Sequence, residues 1–286
     1  MDKVIDLIGV GWPVIDGGGE NNNDATVFIC YLDNMSSGKM EGFVITGGGS
    51  GIFGHGVQIL NSSPEVLNNK IRNNKHVGIG IHGHKRFTEK AKIHNNMIFD
   101  NGIGVSHGLG TYGEIYENTI YNNKVTGIGV RGLSKPILRG NKIYGNYVGI
   151  GIREEAYPQI RGNELHENII GIAINPGTAN ALYAEEESQI QIKNNSVYRN
   201  RQCGIFISSL HKNGIIAQGN IIKNNAEDTA QQRSGGVVDG YPHESLSELI
   251  LNQNDIQDNN GKNIHHFKPL ASSFGEVGNS ADRRPF

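Results

Sequence analysis

The chain has 286 residues, 40 of them glycine and 36% of them hydrophobic, with a formal net charge of -2. This length suits one long domain or two ordinary ones, and a charge so near neutral argues against a general nucleic-acid partner. No run of about eighteen apolar residues occurs, so no membrane span is expected.

In chain order, residues 1–19 (MDKVIDLIGVGWPVIDGGG) read as strand and turn, without the basic start and apolar core of a leader. The expectation is a periplasmic or extracellular protein whose leader has been removed, with a cytoplasmic one as the alternative. Cys30 and Cys203 stand far apart and form neither a CxxC metal pattern nor a disulfide framework.

From residue 61 onward one phrase repeats. Asn69, Asn96, Asn118, Asn141, Asn163, Asn195, Asn220 and Asn254 are each followed two residues later by Ile, Leu or Val, and five residues later by a second asparagine. The intervals are 27, 22, 23, 22, 32, 25 and 34, which sets a unit of about 22 residues carrying insertions. Three apolar positions recur in each unit, represented by Ile115, Ile120 and the pair Ile128/Val130. Their period of two, in runs too short for helices and bounded by Asn, Gly and Pro, predicts three short strands per unit. Stacked units of this kind form a parallel β-helix, an all-β solenoid. The expected organisation is a single domain over 1–286, with irregular first coils at 1–60, regular repeats at 61–265 and a tail at 266–286. Insertions are expected at 82–92, 175–189 and 226–248. The asparagines are assigned to corners, because Asn tolerates a left-handed backbone. Stacked about 4.8 Å apart, their amides can also bond along the axis as a ladder.

The phrases MEGFVITGG (40–48) and LIGVGWPVIDGGG (7–19), with the asparagine repeat, resemble the pectin-lyase-like superfamily and NosD-type periplasmic proteins. The resemblance covers roughly residues 5–265. It implies a single-stranded right-handed parallel β-helix but leaves the chemistry open, since the superfamily holds lyases, hydrolases, epimerases and non-enzymes.

The outward positions carry the functional reading. In Gly-Ile-Gly-Val the aliphatics face in, so the middle glycine faces out. That row reads Gly80, Ser106, Gly129, Gly151, Ala173 and Phe206, a flat floor suited to an extended polymer or to a covering loop. The next outward row reads His82, Gly108, Arg131, Arg153, Asn175 and Ser208. Arg131 and Arg153 should therefore neighbour each other across coils and bind a carboxylate, unless Glu154 and Glu155 neutralise them. His107 has two registers. One puts it at an inward edge, the other outward with His82 and His84 as a base or metal cluster. A third row, Arg72, Phe99, Tyr121, Tyr144, His166, Tyr198 and Lys223, either grips sugar rings or stabilises its sheet.

No aspartate cluster of the polygalacturonase kind lies in these rows, and calcium has only Glu154, Glu155 and Asp239 to draw on. The chemistry that survives is polyuronate lyase or epimerase chemistry, in which a base removes the proton α to a carboxyl group beside stabilising cations. Arg131 and Arg153 would neutralise the carboxylate and His82 or His107 would be the base, with Arg153 as the base that the pectate lyase resemblance implies. Gly80, Gly129, Gly151, Glu154, Phe206, Tyr121 and Tyr144 would line the substrate. Tyr241-Pro-His-Glu244 resembles the Asp-Pro-His-Glu motif of alginate C5-epimerases, with tyrosine in place of the aspartate. The expected partner is an acidic polysaccharide, with calcium as the candidate cofactor. The alternatives are a non-catalytic β-helix scaffold of the cell envelope and a His-dependent metal-binding β-helix. The sequence assigns neither a metal ligand set nor an oligomeric state.

Overall fold

The computed structural model describes residues 5–19, 24–30, 38–51, 53–83, 90–175, 189–208, 214–227, 234–239, 253–260 and 262–266. Three parallel sheets, of nine, ten and ten strands among these residues, run the length of the molecule. As far as residue 239 every third strand returns to the same sheet, so each coil there gives one strand to each face. This is the β-helix predicted from the repeat.

The register follows the apolar pattern. Val66, Ile93, Ile115, Leu138, Ile160 and Ile192 pair in line on the first sheet. Ile71, Ile98, Ile120, Ile143, Leu165, Val197 and Ile222 pair on the second. Ile79, Val105, Ile128, Ile150, Ile172, Ile205 and Val237 pair on the third. All of these side chains are buried and join one continuous core. Three-residue strands have little stability alone. Each buried aliphatic contributes roughly 1.5–3 kcal/mol, so stacking is what holds them.

The asparagines form two ladders, one at each edge of the second sheet. At the first, Asn118 Nδ2 donates to Asn141 Oδ1 at 3.0 Å and to the Ile93 and Tyr116 carbonyls. At the second, Asn123 Nδ2 donates to Asn146 Oδ1 at 3.0 Å. The ladder is as expected, but the assignment of left-handed backbone to these residues is corrected. Positive φ falls one residue earlier, at Asn95, Glu117 and Asn194 before the first ladder and at Asp100, Asn122 and Glu167 before the second. The bend and the hydrogen bonds are divided between neighbours, because a side chain aimed down the axis needs ordinary backbone beneath it.

The first glycine of each Gly-Ile-Gly phrase has a role that the repeat alone does not reveal. It faces inward at the corner, against the second ladder and the next coil. A Cβ on Gly127 would lie 2.7 Å from the Gly149 carbonyl oxygen and 2.8 Å from Ile143 Cγ2. A Cβ on Gly129, which faces outward, would meet nothing closer than 4.0 Å. Gly127→Ala is therefore expected to cost about 1–3 kcal/mol through overpacking. Gly129→Ala should be neutral or slightly stabilising, since the fold places no demand on glycine there. Urea unfolding of the two variants checks the contrast, and equal costs would refute the division of roles.

Candidate functional site

The third sheet carries the candidate site. Its outward row runs Gln58, Gly80, Ser106, Gly129, Gly151, Ala173, Phe206 and Val238, as the register requires. The expectation of a flat floor several coils long is corrected. Gly80 lies under the His55 ring, since a Cβ there would sit 2.8 Å from His55 Cδ2. Gly151 is buried, its vacant side-chain position bordered by Thr126 Cγ2 and Val148 Cγ1. Ala173 and Phe206 pack with Val148, Ile170, Cys203 and Val238 in a second apolar cluster. Within the glycine-lined stretch, Gly129 alone among the described residues keeps part of its surface open. Phe206 packs against this cluster with part of its ring exposed.

The neighbouring row is where the basic groups gather. Gly108 pairs with His82, and Arg153 pairs with Asn175. Arg131 and Arg153 each stand one residue past the paired Val130 and Ile152, which makes them neighbours across coils as predicted. Arg131 is exposed and its stem folds back over Gly108, where a Cβ would be 3.0 Å from Arg131 Cγ and 3.2 Å from Nε. The missing side chain at 108 thus lets the guanidinium lean toward His82, two coils away. Arg153 is half-buried, and desolvation lowers its pKa, with Glu154 opposing and Arg131 adding to that shift. Glu154 thus acts on Arg153 from an exposed, left-handed turn position, φ 53°. That favours the pairing alternative for Glu154 over substrate contact.

The histidines are sorted by the register. His107 pairs with Ile81 and Val130, so the inward register is the true one. It is fully buried, within hydrogen-bond reach of the Tyr112 carbonyl at 3.0 Å and of Thr111 Oγ1 at 3.0 Å. His107 therefore cannot meet a substrate, and the expectation of a base there is corrected. His84 and the Tyr241–Glu244 motif lie outside the described residues, as does the Asp239 side chain. Among the described residues no three His, Cys, Asp or Glu side chains are placed to hold a metal ion; of the expected His82/His84/His107 cluster, His84 lies outside those residues and His107 faces inward, away from the outward row of His82.

Sequence reasoning missed His55 and His76. Their ring centroids are 5.3 Å apart, and His55 and His82 are 5.9 Å apart. His55 is 3% exposed. Burial pushes its pKa down to about 4, with smaller contributions from His76, His82 and Arg131 against a backbone bond to Phe53. His82 is likewise lowered to about 4 by burial and then by Arg131. Both rings are neutral at pH 7. Only the fold brings residues 55, 76 and 82 together, and the one sequence signal was the pairing of their coils.

Tyr121 and Tyr144 occupy the second sheet, away from the arginines. Phe99, Tyr121, Tyr144, His166 and Tyr198 form a continuous stack with centroids 4.8–5.1 Å apart and ring planes within 12°. Their faces are filled by one another, so the expectation that Tyr121 and Tyr144 present faces to sugar rings is corrected in favour of the sheet-stabilising alternative. His94, Tyr116 and Arg139 stack similarly on the first sheet.

The sequence matches the family model described as right handed beta helix region over residues 80–239. The chain belongs to this family. Among solved structures the β-helix is similar to the A-module of mannuronan C-5 epimerase AlgE6 from Azotobacter vinelandii, with TM-score 0.61, 15% identity, and coverage of 82% of this chain and 63% of that one. It is also similar to a point variant of the periplasmic alginate epimerase AlgG, with TM-score 0.54, 15% identity, and coverage of 82% and 59%. The β-helix described here thus spans about three fifths of the length of each, and at this identity the likeness establishes the fold. Among curated proteins none matches the chain.

Proposed function

We propose that this β-helix binds an acidic polysaccharide on its third sheet and acts on it as a polyuronate lyase or C5-epimerase. The observation that carries this reading is Arg131 lying across Gly108, with Arg153 beside it and neutral His82 within its field. The arginines neutralise the uronate carboxylate, which lowers the cost of the carbanion formed at the adjacent carbon. His82 accepts the proton from that carbon. Departure of the glycosidic oxygen at the next carbon then gives a lyase, and reprotonation from the opposite face gives an epimerase. The open position at Gly129 lets the sugar ring approach the backbone. The structural similarity to two alginate epimerases supports the same substrate class. A polysaccharide substrate places the protein in the periplasm or outside the cell.

Incubation with pectate, alginate and hyaluronan, with and without calcium, tests the chemistry. Growing ultraviolet absorbance marks unsaturated ends, and solvent deuterium at C5 marks epimerisation. Arg131→Ala/Arg153→Ala is expected to lose at least about 100-fold in either activity, since removing one oxyanion-stabilising donor costs about 10²–10³. Neither absorbance nor deuterium uptake on any polyuronate would overturn the proposal.

A further inference from the structure

We infer that His55, His76, His82 and Arg131 form a binding site for a single oxyanion of the carboxylate class, at the N-terminal end of the third sheet and apart from the Gly129 opening. This deepens the proposed function and rests on that reading, since it shares Arg131 and His82 with it, and it adds His55 and His76. The site is built. His55 is 97% buried, by its 3% exposure, and fits only because residue 80 is glycine. Its Nδ1 is buried without a partner, and so is His82 Nδ1. A buried polar atom without a partner costs on the order of 1–3 kcal/mol, and two ring nitrogens in one cluster mark a place where a ligand would complete the hydrogen bonding.

The charge around the cluster decides the sign of that ligand. The strand before contributes Phe28, which pairs with Gln58. The coil of His82 contributes His76, the coil after contributes Gly108 and the inward His107, and the next contributes Arg131. Among the described residues the side chains acting on His55 and His82 are all basic, with no carboxylate among them. A cation here would face Arg131 without a counter-charge, whereas an oxyanion would pair with the guanidinium and accept N–H bonds from the imidazoles. An imidazole that donates from both nitrogens is protonated, so at acidic pH the anion enters together with one or more protons, whereas at neutral pH His82 stays neutral. Binding then tightens as pH falls toward the free-state titration of His55 and His82, near 4.

The test follows the imidazole resonances of the isotope-labelled protein by NMR through a pH titration. It is run alone and with D-glucuronate, D-glucose or inorganic phosphate. With glucuronate, two imidazoles should rise in midpoint by roughly one unit or more, a tenfold coupling per unit, while glucose leaves them in place. Arg131→Ala should weaken glucuronate binding about tenfold and reduce both shifts. His55→Asn should remove one shift, and the wild-type titration stands even if that variant folds poorly. Midpoints that stay fixed with both anions overturn the inference. Polyuronate binding with fixed midpoints overturns it while leaving the proposed function standing. Movement with phosphate but not glucuronate overturns the carboxylate assignment, and with it the inference.

Discussion

Replacing Asn118 by alanine is expected to lower the unfolding free energy by roughly 2–6 kcal/mol, because two buried polar groups lose their partners at about 1–3 kcal/mol each. Asn118 Oδ1 accepts from the Asn96 backbone N–H and from Asn96 Nδ2, both at 3.0 Å. Its own Nδ2 serves the Ile93 carbonyl at 2.8 Å. The residue is 1% exposed, so water cannot take its place. Asn259, half-buried near the end of the other ladder, should cost clearly less when changed to alanine. Lys124→Ala, on an exposed side chain, serves as the neutral control. Urea midpoints measured at one pH rank the three, and an Asn118→Ala cost no larger than the Lys124→Ala cost would remove the ladder from the account of stability.

Acid should unfold this protein early, and the histidines set the window. His55, His82 and His107 are all lowered to about 4 from an ordinary 6.5, with burial as the first cause in each. The unfolded chain therefore binds more protons than the folded one between those values. Stability is fully present above about pH 6.5, falls as pH drops, and levels off below about 4. The slope is ~1.4 kcal/mol per pH unit for each such histidine. His107 is the cleanest case, being fully buried between Ile81 and Val130. His107→Val should cost about 1–3 kcal/mol near neutral pH, because the Tyr112 carbonyl loses its partner. It should also flatten the acid slope by ~1.4 kcal/mol per unit. Thr111, the partner of His107, keeps its bond to the Gly108 carbonyl at 3.2 Å. An unchanged slope in the variant would show that His107 protonates freely in the fold, contrary to its burial.

These two predictions draw on different depths of information. The ladder was legible in the sequence because an Asn pair at constant offset repeats through eight units, and a solenoid turns such repetition directly into stacking. The Arg131–Arg153 adjacency was legible for the same reason. Once one coil is registered, every outward position falls in line. What could not be read was anything that broke the repeat or crossed it. His107 replaces an aliphatic at an inward position, and two alignments of residues 102–105 fit the pattern equally well. Burial distinguishes them, and burial is a property of the stacked coils. The left-handed residues were placed one position late because φ is set by the bend that each corner must make.

The amino-acid sequence by itself determined that this is a β-helix of about 22 residues per coil, with its aliphatics inside and its asparagines at the corners, since periodicity alone forces that outcome. Tertiary structure alone decided which histidines gather beside Arg131. The His55 ring rests on Gly80 and reaches His76 and His82 because close approach between coils admits a ring only where a Cβ is missing. Arg131 leans toward them because Gly108 leaves the space. The aromatics of the second sheet spend their faces on one another because neighbouring coils stand a ring's stacking distance apart.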